Sequence, residues 1–188
     1  MLALLLQGKV LAEPGVEGEA ALKQARQYKA AGQCAAALPW FDKALAVALR
    51  DKDRSQQLTV LRLRGECYQY TGDFALAWLD LAYGRQLAPK EARFYEGLGW
   101  LAIFQGAYAT AEAYLRQAQT LEPDNAWVQL NLGWAHYLQG QLPQAKTLWQ
   151  PLWSQPRYHK ALQREIQQLQ DLGIPEVRFL PLKTWLAD

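Results

Sequence analysis

The side chains that most often carry protein chemistry are few in this sequence: two cysteines and two histidines. Cys34 and Cys67 belong to no CxxC pair, and neither lies near a histidine in the sequence, whereas a zinc site needs four closely spaced ligands. His136 and His159 are part of no nucleophile–base–acid signature, and no glycine-rich phosphate loop is present. The sequence therefore predicts no enzyme activity, no metal site and no cofactor.

The composition limits the classes of protein that remain. Hydrophobic residues make up 51% of the 188 residues and charged residues 20%, so the chain has enough apolar side chains to bury a core. The net charge is +2 without a basic run, which argues against a nucleic-acid partner. No run of about 18 or more apolar residues occurs, so no integral membrane span is predicted.

The elements that would position any functional residue are set by a repeat. Gly65, Gly99 and Gly133 follow one another at intervals of 34 residues. The same interval separates Gly72, Gly106 and Gly140, then Ala77, Ala111 and Ala145, and finally Pro89 and Pro123. Small or helix-breaking residues thus recur at four separate positions with the same 34-residue interval, which indicates a repeated structural unit.

Each unit reads as two antiparallel helices joined by a turn, as in residues 94–105 followed by 108–121. Gly99 and Ala111 are small because the two helices cross closely there. Gly106 is predicted to adopt the left-handed conformation that ends the first helix. The Asp124-Asn125 pair is placed to cap the helix that follows.

This pattern resembles the tetratricopeptide-repeat (TPR) family, whose unit carries Trp-x2-Leu-Gly-x2-Tyr, then Ala-x3-Phe, then Pro. The third unit shows the match in Tyr95, Leu98, Gly99, Gly106, Ala111, Leu115, Ala118 and Pro123. The resemblance implies an all-α, right-handed superhelical solenoid of about four helix-turn-helix units plus a C-terminal capping helix. The solenoid is assigned to residues 18–155, with units at about 18–57, 58–91, 92–125 and 126–156.

The two ends need separate interpretations. Residues 1–17 form an N-terminal segment that is either an export signal cleaved after Ala12 or a frayed extension, so the protein is either cytoplasmic or exported to the periplasm. Residues 157–188 are interpreted as a capping helix followed by an apolar tail.

The resemblance further implies a non-catalytic scaffold or adaptor that binds a protein or peptide in the concave groove lined by the first helix of each unit. The partner-binding residues predicted on these helices are Arg62, Glu66, Tyr70, Glu96, Trp100, Phe104, Leu130, Trp134 and Tyr137. This groove is polar at its N-terminal side and apolar at its C-terminal side. A large exposed apolar patch is costly in water, so something should cover it.

Three occupants of the apolar part are compatible with the sequence. A partner segment can bind there, with Trp100 and Trp134 as anchors. The chain's own tail can fill it with Phe179, Leu182 and Trp185, which fits an alternative function as a structural assembly or accessory subunit, of a complex or of secretion or pilus type. A homodimer that exchanges tail or groove between chains is the third possibility.

One ligand mode of the family is not expected here. Its carboxylate clamp uses lysine and asparagine side chains, whereas the matching stripe offers Leu22, Arg26, Leu63 and Gly97. Recognition of a chaperone tail is therefore not predicted.

Packing roles are predicted for the cysteines and for His136. Isolated cysteines in repeat helices are usually packing residues, so two buried free thiols are predicted; a Cys34–Cys67 disulfide is the alternative if the chain is exported. His136 falls at an interhelical packing position and is predicted to be a hydrogen-bonded core residue.

Overall fold

A computed structural model describes residues 16–171 and 173–187 of the chain. The described residues contain no strand, and the all-α fold of helical hairpins predicted from the repeat is confirmed. The helices are α1 (Val16–Ala30), α2 (Cys34–Arg50), α3 (Arg54–Thr71), α4 (Phe74–Leu87), α5 (Ala92–Phe104), α6 (Tyr108–Leu121), α7 (Ala126–Leu138), α8 (Leu142–Trp149), α9 (Pro156–Asp171) and α10 (Leu180–Ala187). Short 3-10 helices at Gln150–Leu152 and Glu176–Phe179 precede α9 and α10 respectively.

The chain divides into two compact units, and the division falls within α4. Unit 1 is Met1–Asp80 and unit 2 is Leu81–Asp188. The predicted export signal and its cleavage site after Ala12 lie outside the described residues, which begin at Val16. The predicted repeat borders stay predictions.

The turns between paired helices have the predicted local conformations. Gly72, Gly106 and Gly140 have φ angles of +84°, +73° and +82°, a left-handed region that favours glycine, and each follows the last turn of a helix. Asn125 caps α7, because its side chain accepts hydrogen bonds from the backbone N–H groups of Trp127 and Val128 at 3.0 and 3.4 Å.

The helix crossings also explain why certain repeat positions are glycine. A Cβ atom added to Gly99 would lie 2.5 Å from Cγ of Leu115, and one added to Gly133 would lie 2.1 Å from the indole nitrogen of Trp149. The two helices of each hairpin therefore pack too closely for any side chain at these positions.

Candidate functional site

In unit 1, small residues on α1 and α2 bring those helices together around one large side chain. Ala21 and Ala25 of α1 and Ala37 and Ala44 of α2 are buried with Phe41, which is fully enclosed. Because the apolar residues of α1 pack against α2, its polar residues lie on the opposite side of the helix.

A groove lies between α1 and α3 on that polar side, with a volume of about 910 Å³. We call it the α1–α3 groove. Its lining comprises Val16, Glu19, Ala20, Leu22, Lys23, Arg26, Gln27, Ala30, Asp53, Ser55, Gln56 and Thr59. Eight of these twelve residues carry charged or hydrogen-bonding groups, and the aliphatic residues Val16, Ala20, Leu22 and Ala30 contribute apolar surface between them.

Two cations of the α1–α3 groove are available for a ligand. Lys23 and Arg26 are exposed on α1, and neither forms an ion pair with another described residue. The carboxylate of Asp53 is less available to a ligand, because it accepts a 2.9 Å hydrogen bond from the backbone N–H of Gln56 and so caps α3. The α1 wall of the groove therefore presents these two cations together with the carboxylate of Glu19, opposite hydrogen-bonding groups of α3.

The predicted polar residues of α3 form a surface ion network beside this groove. Glu66 accepts from Arg62 at 2.6 Å and lies 2.8 Å from Nζ of Lys29 on α1. All three side chains are partly exposed, and Tyr70 at the end of α3 is 49% exposed. Arg62, Glu66 and Tyr70 are thus accessible, and their role in binding a partner stays a prediction.

A second ion network fixes α3 against the rest of unit 1. The Arg64 guanidinium donates to both carboxylate oxygens of Asp80, at 2.8 and 2.7 Å, and to Asp42 at 2.6 Å. Burial lowers the pKa of Arg64, but these hydrogen bonds outweigh it and the net shift is upward. Burial raises the pKa of Asp80, and its bonds to Arg64 offset this only in part. The network joins α2, α3 and α4.

The two cysteines are joined to each other. Cys34 begins α2 and Cys67 lies in the last turns of α3, with their Cα atoms 5.0 Å apart in a disulfide. Both side chains are buried, as predicted, but the prediction of free thiols is wrong. The reason is geometric: the start of α2 lies beside the end of α3 at a separation that a disulfide spans without backbone movement.

In unit 2, α7 lies at the centre of the aromatic core. Every side chain from Asn131 to Leu138 is buried apart from Gly133, which has none. Trp134 is within 5.0 Å of Trp149 and 5.9 Å of Tyr137, ring centroid to centroid. The indole of Trp149 donates a 2.9 Å hydrogen bond to the Leu130 carbonyl. Leu130, Trp134 and Tyr137, predicted as partner-binding residues, are core residues in this structure.

The last helices of the chain cover α7. Helix α9 buries Tyr158, Leu162, Ile166 and Leu169. The segment 176–187, which we call the tail segment, buries Phe179 and Leu182 completely. The Phe179 ring lies 6.1 Å from that of Trp134, and Trp185 lies 6.0 Å from Tyr137. The tail segment thus occupies the apolar surface, one of the three possibilities left open by the sequence.

The remaining predicted residues of unit 2 are on α5. Trp100 is buried against Phe104, with ring centroids 5.0 Å apart, and Phe104 is partly buried. Glu96 accepts a 3.3 Å hydrogen bond from the side-chain amide of Asn131. Glu96 thus links α5 to α7, Trp100 and Phe104 belong to the core cluster of unit 2, and the role of all three in partner binding stays a prediction.

His136 has the packing role predicted for it. Its side chain is buried, Nδ1 pairs with the Gln141 side-chain oxygen, and Nε2 lies 3.9 Å from Glu112. Among the described residues no group of three or more histidine, cysteine or acidic side chains could hold a metal ion. No described helix has the length and hydropathy required to cross a membrane.

Lys23 was not among the site residues predicted from the sequence, and Arg26 was considered only as a position of the carboxylate clamp. The signal was present, because positions 19, 23, 26 and 30 share one face of α1 and none of them is needed in the core.

Comparisons with known proteins agree with the architecture. Residues 102–165 match the family model described as tetratricopeptide repeat. The fold is similar to that of MamA, at 18% identity over 81% of each chain with a TM-score of 0.57. It is also similar to MamA 41-end from Desulfovibrio magneticus RS-1, at 16% identity over 85% of this chain and 96% of that chain with a TM-score of 0.60. A search of curated proteins finds no match.

Proposed function

We propose that this chain, whose fold is similar to that of MamA and whose residues 102–165 match the tetratricopeptide-repeat model, is a non-catalytic scaffold that holds a polypeptide in the α1–α3 groove. Fold alone identifies no ligand, so the proposal depends on this site. The observation that carries it is an open groove of about 910 Å³ with two cations on one wall, Lys23 and Arg26, that form no ion pair within the described part of the chain.

The chemistry of the groove favours a polar polypeptide segment over an apolar helix. Four of its twelve described lining residues are aliphatic and none is aromatic, whereas eight are charged or hydrogen-bonding. Ser55, Gln56 and Thr59 of α3 offer hydrogen-bonding groups to a backbone or to polar side chains. Recognition would therefore depend on hydrogen bonds and on the α1 cations, with a marked dependence on salt concentration.

A second candidate function is a structural subunit of a larger assembly. It is favoured by the tail segment, which covers the aromatic side chains of α7 that would otherwise anchor a guest. In that case the outer surfaces of the helices, and not the α1–α3 groove, would contact the neighbours.

Site-specific photo-cross-linking distinguishes the two functions. A photoreactive amino acid replaces Gln27, which lines the groove, or in a matched control Ala46, which is exposed on α2 outside it. A scaffold that uses the groove should give a defined cross-linked partner from position 27 and not from position 46. Cross-links from position 46 alone would reject groove binding in favour of the structural subunit.

A further inference from the structure

Helix α4 differs from the second helices of the other hairpins in the residues that it exposes. Its residues 74–79 are six consecutive apolar residues, whereas a helix at a protein surface normally has a polar side. Leu76, Trp78 and Leu79 are 45%, 48% and 56% exposed. We call these three residues, all of which belong to unit 1, the α4 face.

The repeat itself does not require apolar residues at these positions. Helices α4, α6 and α8 begin 34 residues apart, at Phe74, Tyr108 and Leu142. The residues that correspond to the α4 face are Thr110, Glu112 and Ala113 in α6 and Gln144, Lys146 and Thr147 in α8. Five of these six are polar or charged, so the packing of a helical hairpin does not explain the apolar α4 face.

The α4 face carries no charged side chain of its own. The nearest charged residues along the chain are Asp73, which accepts a hydrogen bond from the Thr71 hydroxyl, and Asp80, which is buried and paired with Arg64. A nucleic acid or an anionic membrane surface would find no cation among the residues of this face. Two copies of the face can meet without like-charge repulsion, as a two-fold interface that uses the same patch twice requires.

The size of the α4 face sets the strength of such a contact. Three half-exposed large side chains form an apolar patch of roughly a few hundred Å², a size that on a monomer often marks an interaction site. Stable specific interfaces bury a total of about 1,200–2,000 Å², which two such patches do not reach. A contact through the α4 face alone is therefore weak and reversible.

We infer that the α4 face is a dimerisation surface, on which α4 of a second copy of this chain packs in a concentration-dependent manner. Leu79, the most exposed of the three residues, contributes most to the contact. This dimer differs from the one considered from the sequence, in which two chains exchange tail or groove. The α4 face is separate from the α1–α3 groove, and the dimer does not depend on the function proposed for that groove.

Sedimentation velocity of the wild-type chain, from about 1 μM to about 1 mM, tests for the dimer. The dimer fraction should rise with concentration, and roughly 1 M salt should not reduce it, because salt screens charges and the α4 face has none. A monomer at every concentration would overturn the inference, because something other than a second copy would then cover the face. A dimer that dissociates in high salt would also overturn it, since charged groups would hold it together.

Matched variants identify the surface that forms the dimer. Leu79→Asp places a charge on the α4 face, and Ala113→Asp places the same charge at the corresponding exposed position of α6. Leu79→Asp should raise the dissociation constant of the dimer at least ten-fold, whereas Ala113→Asp should not change it. Trp78→Gln, which adds no charge, should also weaken the dimer, so the test does not depend on the folding of one variant. Equal dimerisation by all of these chains would contradict the inference.

A mixing experiment shows whether α4 pairs with a second α4. Leu79→Lys should be as monomeric as Leu79→Asp, because each variant brings like charges together across the contact. An equal mixture of the two should form a dimer again, because opposite charges then meet. Circular dichroism confirms that both variants are folded. If the mixture stays monomeric, the two helices do not face each other and the inference is wrong.

Discussion

The indole nitrogen of Trp134 donates a 2.6 Å hydrogen bond to Oε2 of Glu165, which places a buried carboxyl group from α9 against the central tryptophan of α7. Burial raises the pKa of Glu165 to about 7, and the bond from Trp134 offsets this only in part. Two other charged groups act on it: Arg164 lowers the pKa and Glu96 raises it. Docking of the capping helix is therefore linked to pH.

We predict that the stability of unit 2 falls as the pH rises from about 4.5 to about 7. In this range Glu165 loses its proton in the unfolded state but keeps it in the folded state, so the folded state binds more protons. The stabilisation contributed by protonated Glu165 is fully present below pH 4.5 and is lost as the pH rises through about 7. A shift of this size corresponds to a loss of up to about 3 kcal/mol.

Glu165→Gln tests this link, because glutamine still offers an oxygen to Trp134 but does not ionise. The variant should melt several degrees above the wild type at pH 8 and close to it at pH 4.5. Glu176→Gln, at an exposed ion pair, is the control and should keep the pH dependence of the wild type. A Glu165→Gln chain that follows the wild-type curve at every pH would contradict the assignment of this dependence to Glu165.

The repeat could be predicted from the sequence because its physical requirements are local. Gly106 must adopt a positive φ and Gly133 must lie under Trp149, so each position tolerates a single residue type, which recurs at a fixed interval. The same holds for Asn125, whose side chain caps the helix that begins beside it.

The site was harder to predict because burial depends on which elements cover a helix. The spacing of Trp134 and Tyr137 indicates the face of α7 on which they lie, but not that α9 and the tail segment cover that face. The disulfide was only the alternative to two free thiols, for a related reason. Cys34 and Cys67 belong to different hairpins, and their proximity results from packing between α2 and α3, which the sequence spacing does not show.

We predict that the Arg64 network is essential for unit 1. Arg64→Ala leaves Asp80 as a buried carboxylate without its cation, a change that typically costs about 3–5 kcal/mol. Asp42→Ala removes the exposed partner of the same arginine and should cost less than about 1 kcal/mol. Urea denaturation of the two variants measures both values, and equal effects would show that burial of Asp80 is not the dominant cost.

We predict that reduction of the disulfide destabilises unit 1. The bond closes a loop across a sequence separation of 33 residues, for which the chain-entropy model gives a stabilisation of about 3–4 kcal/mol. A reducing agent should lower the melting temperature of the wild-type chain. It should leave that of a Cys34→Ser, Cys67→Ser double variant unchanged.

Mass spectrometry checks the premise of that experiment. The oxidised chain should be lighter than the reduced chain by about 2 Da, the mass of two hydrogen atoms lost on forming one disulfide. Equal masses would mean that the thiols are free in the purified protein, and the melting prediction would not apply.

We predict that the two cations of the α1–α3 groove contribute to partner binding. Lys23→Glu with Arg26→Glu reverses the charge of one groove wall without removing a core side chain, because both residues are exposed. The partner identified by cross-linking from position 27 should bind this variant at least ten-fold more weakly, as expected when like charges are brought together. The salt dependence of binding should also become smaller.

A control with the same change in net charge separates this effect from the overall charge of the protein. Lys90→Glu with Lys160→Glu alters two exposed lysines outside the groove and should bind the partner as the wild type does. Binding is measured by calorimetry at two salt concentrations. If both double variants lose affinity equally, net charge governs the association and the α1 cations have no special role. If neither does, the partner contacts another surface, because a guest in this groove cannot avoid Lys23 and Arg26 on its wall.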